Sequence, residues 1–234
     1  MSLLDFQEVP RRTMTLFFLV DKSGSMKGSK IASVNDAIRN IIPIIRDVSD
    51  NNPDAEIKIA TLEFSNDCQW MYDEPQSLTS FRWLDIKADG WTALGAACNE
   101  LNSKLSRHSF MTSASGSYAP VIILLSDGAP TDDFDRAILT LRENNWFKHG
   151  IKIAIAIGED ANYSVLEQFT GNSEAIFEAN NPEVLKSIIR IAAITSSQIG
   201  TQSTNAGNTT KQEQVIKEIN HQVEQTDTDG EDEW

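Results

Sequence analysis

Four short runs of apolar, mostly β-branched residues stand out along the first two thirds of the chain. They lie at 15–20, 57–64, 121–125 and 151–157. Three of these runs contain almost no alternating polar residues, which is typical of strands that helices cover on both faces. The hydrophobic pattern therefore predicts four buried β-strands.

Helical periodicity occupies the segments between and after these runs. Apolar residues recur there every three or four positions, as they do along the buried face of an α-helix. The helical patterns cover 30–48, 93–107, 134–145, 163–170 and 182–199. Strands that alternate with helices favour a parallel sheet with right-handed crossovers. We therefore predict an α/β fold of Rossmann-like, doubly wound type, with helices on both faces of the sheet.

Two weaker segments extend this sheet. Residues 67–73 follow the second strand closely and fit an antiparallel edge strand, and residues 175–179 fit a last strand. The sheet is therefore expected to be mostly parallel, with one antiparallel strand at its edge. Residues 108–118 are small and polar, which predicts a mobile surface loop.

The composition changes after residue 199, and this change divides the chain. Residues 1–12 form an N-terminal segment, residues 13–199 form one folded domain, and residues 200–234 form a polar, acidic tail. Such a tail buries too little apolar area to offset its ordering entropy, so we expect it to be mostly disordered. One amphipathic patch in the tail predicts a short helix on a partner, and it consists of Val215, Ile216, Ile219 and Val223.

Composition and charge narrow the range of partners. The 234 residues are 40% hydrophobic and 23% charged, as in ordinary globular proteins, and the formal net charge is −14. This negative charge repels phosphate backbones and anionic lipids, so we expect no nucleic acid and no membrane as partner. Residues 1–14 lack the pattern of a secretory signal, and Cys68 and Cys98 lack metal or redox spacing. We therefore expect a cytoplasmic monomer with reduced thiols.

The oxygen-bearing residues near the ends of the predicted strands indicate a metal site. Asp21, Ser23 and Ser25 follow the first strand, Thr92 precedes a helix, and Asp127 follows the third strand. Loops at the carboxyl ends of parallel strands meet at one edge of a sheet. Two carboxylates and three hydroxyls, without imidazole or thiolate, suit Mg²⁺, with Mn²⁺ or Ca²⁺ as substitutes. We therefore predict a divalent-metal site at this edge.

These five residues resemble a known site. Asp21-x-Ser23-x-Ser25, followed by Thr92 and Asp127, is similar, element by element and in order, to the metal-ion-dependent adhesion site of von Willebrand factor A domains. The resemblance covers about residues 13–199. It implies that the hydroxyls contact the ion, that the aspartates act largely through water, and that a protein partner supplies an acidic residue to the open position. It also implies a binding module and not an enzyme.

Further resemblance points to one branch of that family. The segments DKSGSM, LSDGAPTDD and IAIAIGEDAN are similar to bacterial TerY-like proteins, which occur with tellurium-resistance and stress-response genes. This resemblance implies kinase-like or phosphatase-like partners. Gly90-Trp91-Thr92 departs from the Gly-Gly-Thr that is frequent in the family, and it would place an indole beside the ion. The surface that faces the partner is expected to comprise Lys22, Met26, Trp91, Pro130 and the loop 108–118.

Two other assignments stay open on the sequence. An aspartate at the end of a first strand is the nucleophile of haloacid dehalogenase-like enzymes, so Asp21 also fits a magnesium-dependent phosphatase. That class usually carries a second acid where this chain has Ser23. Asp132, Asp133 and Asp135 look like a second metal cluster, but such residues more often cap the helix that begins there.

Overall fold

The computed structural model describes residues 11–113, 115–201 and 209–228. Within these residues, seven strands form one sheet. The strands are β1 (Arg12–Asp21), β2 (Ala55–Phe64), β3 (Cys68–Trp70), β4 (Gln76–Ser77), β5 (Val121–Ser126), β6 (Ile151–Ile157) and β7 (Ile176–Ala179). All four apolar runs of the sequence lie in strands, in β1, β2, β5 and β6.

The sheet is mostly parallel. The strand order is β3-β2-β1-β5-β6-β7, with β4 also paired to β2. Strand β1 lies parallel to β2 and β5, and β6 and β7 continue in the same direction. Strands β3 and β4 run antiparallel to β2. The predicted sheet with an antiparallel edge strand is therefore confirmed, and its order reverses between β1 and β5, where open α/β sheets hold their ligands.

Helices cover both faces of the sheet. They are α1 (Ser29–Asp50), α2 (Leu94–Lys104), α3 (Phe134–Arg142), α4 (Asn145–His149), α5 (Tyr163–Thr170), α6 (Pro182–Thr201) and α7 (Lys211–Thr228). Helices α1 and α6 share one buried cluster with the sheet, and α2, α3 and α5 share the other. Because neighbouring side chains of a strand point to opposite faces, Phe17 packs into the second cluster and Phe18 into the first. The doubly wound fold is thus confirmed.

The helix predicted over 134–145 is interrupted. Helix α3 ends at Arg142, and the Asn144 side chain accepts a hydrogen bond from the N–H of Trp146 at 2.9 Å, which starts α4. The Asn144 amide also donates to Asn102 Oδ1 at 2.9 Å, so the break is fixed against the end of α2. Because Asn144 caps α4 and also bonds to α2, it favours the start of a second helix over the continuation of α3.

The loop predicted over 108–118 lies at the amino end of β1. Thr13 donates its N–H to Gly116 O at 3.0 Å, and Tyr118 donates its N–H to Thr13 O at 2.8 Å. Thr13 stands near the start of β1, whereas the candidate site follows its end at Asp21. The expectation that this loop borders the site is therefore wrong, because the loop returns to the opposite edge of the sheet.

The predicted tail contains a helix that packs on the domain. Helix α7 lies against α6, and the side chains of Val215, Ile216 and Ile219 are buried. The expectation of a mostly disordered tail, with a helix available to a partner, is therefore corrected for residues 211–223. The narrow apolar stripe of α7 packs on α6 of the same chain.

Other terminal predictions lie outside the described residues. These are the N-terminal segment as far as residue 10, the polar stretch at 202–208 and the acidic end at 229–234. Among the helices that the structure does describe, none has the length and apolar character needed to cross a membrane.

Candidate metal centre

Backbone hydrogen bonds draw three loops together at the carboxyl edge of the sheet. In the loop after β1, Gly24 donates its N–H to Gly90 O in the loop before α2, at 2.8 Å. In the loop after β5, Thr131 donates its N–H to Thr92 O at 2.8 Å. A β-carbon at Gly24 would lie only 3.2 Å from Gly90 O, so a glycine suits this close approach. The predicted meeting of the three loops is therefore present.

Asp21 is the buried centre of this corner. Its Oδ1 accepts a hydrogen bond from the N–H of Ser23 at 2.8 Å, and its Oδ2 accepts one from the hydroxyl of Ser126 at 2.6 Å. Burial raises the pKa of Asp21 above its ordinary value, and the negative charge of Asp127 raises it further, while these hydrogen bonds oppose the shift. The two carboxylates are thus close enough to repel each other.

The two serines of the first loop contact each other. Their Oγ atoms lie 2.9 Å apart, with Ser23 buried and Ser25 exposed at the rim. A short 3₁₀ turn at Gly24–Met26 begins directly after Ser23 and turns the chain between the two hydroxyls. The structure therefore brings Asp21, Ser23 and Ser25 together through hydrogen bonds.

Asp127 supplies the second carboxylate. It is 4% exposed, and its Oδ2 lies 3.7 Å from Nζ of Lys30 in α1. Its Oδ1 is buried without a hydrogen-bond partner among the described residues. Such an oxygen costs free energy unless water or a cation satisfies it. The orphaned oxygen therefore marks a place that a hydrated ion would fill.

Thr92 is buried in the same corner and is held through backbone contacts. Its N–H and Thr131 Oγ1 lie 3.2 Å apart, and this pair joins the loop of Thr92 to the loop of Asp127. In the described part of the chain, no hydrogen bond runs from the Thr92 hydroxyl to Asp21 or Ser23. The structure thus holds Thr92 in a buried loop that is bonded to the loop after β5, without a direct link to Asp21 or Ser23.

The acidic cluster at 132–135 serves a helix and differs in detail from the prediction. The Asp132 carboxylate accepts hydrogen bonds from the N–H groups of Gly95 and Ala96, at 2.9 and 2.8 Å. It therefore caps α2, the helix after Thr92, and not α3, as the sequence suggested. Asp133 occupies the N-cap position of α3 but makes no side-chain capping bond.

Two residues in this corner escaped the sequence interpretation. Ser126 holds Asp21, and its Oγ also accepts the N–H of Gly128 at 2.8 Å. Lys30 pairs with Asp127 from the first turn of α1. Ser126 stands beside Asp127 at a strand end, but the residue that it holds, Asp21, lies 105 positions away in the sequence. No local sequence pattern identifies Lys30.

The donor set suits a hard divalent cation. Among the described residues, no group of three or more His, Cys, Asp or Glu side chains could hold a metal. An ion in this corner would therefore rest on hydroxyls and water besides Asp21 and Asp127. A cation would relieve the repulsion between the two buried carboxylates and satisfy the orphaned oxygen. The residues thus fit a hydrated, oxygen-bound ion.

The fold and the site together define an α/β domain with an acidic, hydroxyl-rich corner at the carboxyl edge of its sheet. A family model described as the von Willebrand factor type A domain matches residues 15–191. The chain therefore belongs to the von Willebrand factor type A domain family, whose members are generally interaction modules.

Solved structures resemble this chain at low identity. Proximal thread matrix protein 1 from the mussel byssus has a TM-score of 0.58 and 17% identity, over 80% of this chain and 46% of that protein. The ArnB paralog VWA2 from Sulfolobus acidocaldarius has a TM-score of 0.56 and 25% identity, over 76% of this chain and 44% of that protein. This chain thus spans less than half the length of either protein. A comparison with curated proteins gives no match.

One related structure contains a metal. The mussel protein with a zinc-occupied MIDAS motif, the metal-ion-dependent adhesion site, has a TM-score of 0.55 and 18% identity, over 79% of this chain and 46% of that one. A divalent metal at such a motif therefore occurs within the family, while the likeness itself extends only to the fold.

Proposed function

We propose that this chain is a metal-dependent protein–protein interaction module, with Ser23, Ser25 and Thr92 as direct ligands of a divalent ion. Asp21 and Asp127 hold coordinated waters and supply the negative charge. The observation that carries this proposal is the orphaned, buried Oδ1 of Asp127 beside a second buried carboxylate. Mg²⁺ is the proposed ion, because an all-oxygen site with neutral hydroxyls suits magnesium better than zinc, which prefers nitrogen and sulfur.

The proposed partner is a protein that presents an acidic residue to the ion. A bound divalent ion supplies a positively charged position at which a carboxylate replaces water. Trp91 adds apolar surface beside this position, since its side chain is 71% exposed. The Trp91 N–H donates to Asn66 Oδ1 at 2.8 Å, so the backbone below the indole is fixed. Exposed tryptophans on a firm backbone are frequent anchors in protein interfaces.

The expected partner surface needs a second correction, besides the removal of the loop 108–118. Met26 is fully buried in the core between α1 and the sheet, so it makes no contact with a partner. The apolar side chain turns inward because the 3₁₀ turn that exposes Ser25 rotates the next residue towards the core. Of the residues expected there, Trp91, Lys22 and Pro130 remain as the proposed contact surface.

The cellular setting is proposed from the resemblance to TerY-like proteins. It places the module in the bacterial cytoplasm, in a stress-response system of the tellurium-resistance type, with kinase-like or phosphatase-like partners. The phosphatase alternative fits the corner less well. Asp21 is fully buried and both of its carboxylate oxygens hold hydrogen bonds, whereas a nucleophile must reach its substrate. A phosphate-ester hydrolysis assay compares the two assignments directly.

Affinity capture with and without magnesium tests the proposed function. The full chain is expected to retain a specific protein from a bacterial lysate in Mg²⁺ and to lose it in chelator. Thr92→Ala is expected to abolish this capture while the fold is kept, because only a hydroxyl ligand is removed. Trp91→Ala serves as the matched variant, since it should weaken capture and leave metal binding unchanged. Capture that persists in chelator and in Thr92→Ala would place the interface elsewhere.

Chelator is expected to leave the domain folded. The proposed ligands lie on loops, whereas both buried clusters consist of side chains from strands and helices. Loss of the ion should therefore lower the melting temperature by only a few degrees, in contrast to a zinc finger, which unfolds without its metal. Circular dichroism melts in Mg²⁺ and in EDTA measure this shift. Unfolding in EDTA at room temperature would show that the metal is structural.

A further inference from the structure

Lys30 is a charged side chain next to the proposed site that the metal scheme does not use. It lies in the first turn of α1, and its ammonium is 3.7 Å from Asp127 Oδ2. The lysine side chain is 26% exposed and the aspartate side chain 5%. The ammonium therefore approaches, from the side of α1, a carboxylate that would also serve the ion.

The fold leaves space for this lysine. Gly158, directly after β6, has a φ of +89°, and a β-carbon there would lie 2.8 Å from Lys30 Cε and 3.0 Å from its Nζ. A β-carbon at this position would force the end of the lysine side chain to shift from its present place. The lysine also borders a cavity of about 180 Å³ between the first turns of α1 and α6. The ammonium can thus move away from Asp127 without disturbing the core.

We infer that Lys30 is a built-in competitor of the metal ion, a cation that balances the two buried carboxylates when the ion is absent and lowers the affinity when it binds. This inference rests on the proposed metal site. Two carboxylates without a cation repel each other, which favours a nearby ammonium. A divalent ion in the same corner would be repelled by that ammonium over a short distance in a poorly solvated environment.

If Lys30 instead served to orient Asp127, removing it would change the metal affinity in the opposite direction. If the lysine only oriented Asp127, its removal would loosen a carboxylate of the site and weaken metal binding. If the lysine competes with the ion, its removal strengthens metal binding and destabilises the metal-free protein. The sign of the change in affinity therefore separates a competitor from a positioning residue.

Lys30→Met tests the inference, because methionine keeps the length of the stem and removes the charge. Titration of the full chain with Mn²⁺, followed by electron paramagnetic resonance, is expected to give about tenfold tighter binding in this variant. The metal-free variant should melt below the wild type, and saturating Mn²⁺ should raise its melting temperature by more than it raises that of the wild type. Lys30→Arg keeps the charge and should bind Mn²⁺ as the wild type does.

Lys27→Met is the matched control, since Lys27 pairs with Asp89 at 2.7 Å on the exposed surface of the same region. It should change Mn²⁺ affinity by less than about twofold, because exposed pairs are screened by solvent. Equal or weaker Mn²⁺ binding in Lys30→Met than in the wild type would overturn the competitor role and leave the metal site standing. Absence of Mn²⁺ binding in both proteins would overturn the metal site as well.

Discussion

Replacing Asp21 with asparagine is expected to weaken Mg²⁺ binding by about a hundredfold or more while the domain stays folded. Asparagine keeps the shape, and its Oδ1 can still accept the N–H of Ser23. The Ser126 hydroxyl can turn to accept the new amide in place of donating to Oδ2. The variant loses one of only two negative charges that would hold a hydrated ion. Single substitutions around a bound metal lower the metal affinity about tenfold to a hundredfold. Calorimetric titration with Mg²⁺ measures the loss.

Two further variants separate charge from structure. Asp21→Ala leaves the hydroxyl of Ser126 and the N–H of Ser23 without an acceptor. This variant should therefore lose about 1–3 kcal/mol of stability as well as its metal binding. Asp89→Asn removes an acid whose side chain is 85% exposed on the neighbouring loop, and it should leave metal binding unchanged. Equal affinity in the wild type and Asp21→Asn would remove this corner as the metal site.

The sheet was predictable because its central strands are buried on both faces. Burial on both faces requires an uninterrupted apolar run, and such a run is a local property of the sequence. The register of β1 against β5, with Leu16 opposite Val121, then follows from packing and not from any motif. The break between α3 and α4 was missed, although Asn144 and Asn145 stand where helical spacing from Leu141 needs an apolar residue. The capping bond from Trp146 and the contact with Asn102 show the interruption.

One topological rule predicted that the proposed metal residues lie together. Loops at the carboxyl ends of parallel strands converge, so Asp21 and Asp127 could be placed together before their separation was known. Lys30 and Ser126 were missed because their roles depend on contacts with residues that are distant in the sequence. Met26 was misplaced for a related reason: in a polar loop sequence, the direction of a single apolar side chain depends on the local turn.

The tail shows where composition misleads. Residues 211–228 are mostly polar, and averaging over them predicts disorder, yet three apolar residues at helical spacing are buried. These residues pack on α6. The apolar pattern of α6 shows that something covers this side of the helix, but it does not show which segment. The short stripe predicted a helix correctly, and only the fold shows that its partner is the same chain.

Ile219→Ala is expected to release α7 from the domain. The isoleucine is fully buried in the cluster shared with α1 and α6, and removing such a side chain costs about 2–5 kcal/mol. An 18-residue helix is marginal in water by itself, and α7 packs mainly on α6 with a lesser contact to β6. The helix should therefore open as a unit, with loss of hydrogen-exchange protection across 211–223, measured by mass spectrometry.

The rest of the domain is expected to keep its protection and its metal affinity when α7 opens. Near the start of α7, the Gln212 amide donates to Thr170 O at 3.3 Å, at the end of α5, and Lys211 Nζ donates to Gly200 O at 2.8 Å. Strand β6 begins at Ile151, near these contacts of α7, whereas the metal corner lies at the opposite edge of the sheet.

Lys217→Ala is the matched control for the Ile219→Ala variant. This lysine is exposed on the other side of α7, so its loss should leave the hydrogen exchange of α7 unchanged. Full protection of 211–223 in Ile219→Ala would show that the buried stripe does not hold the helix. Weaker Mg²⁺ binding in the same variant would show instead that α7 communicates with the far edge of the sheet, through the strands or through α6, which packs on both α7 and α1.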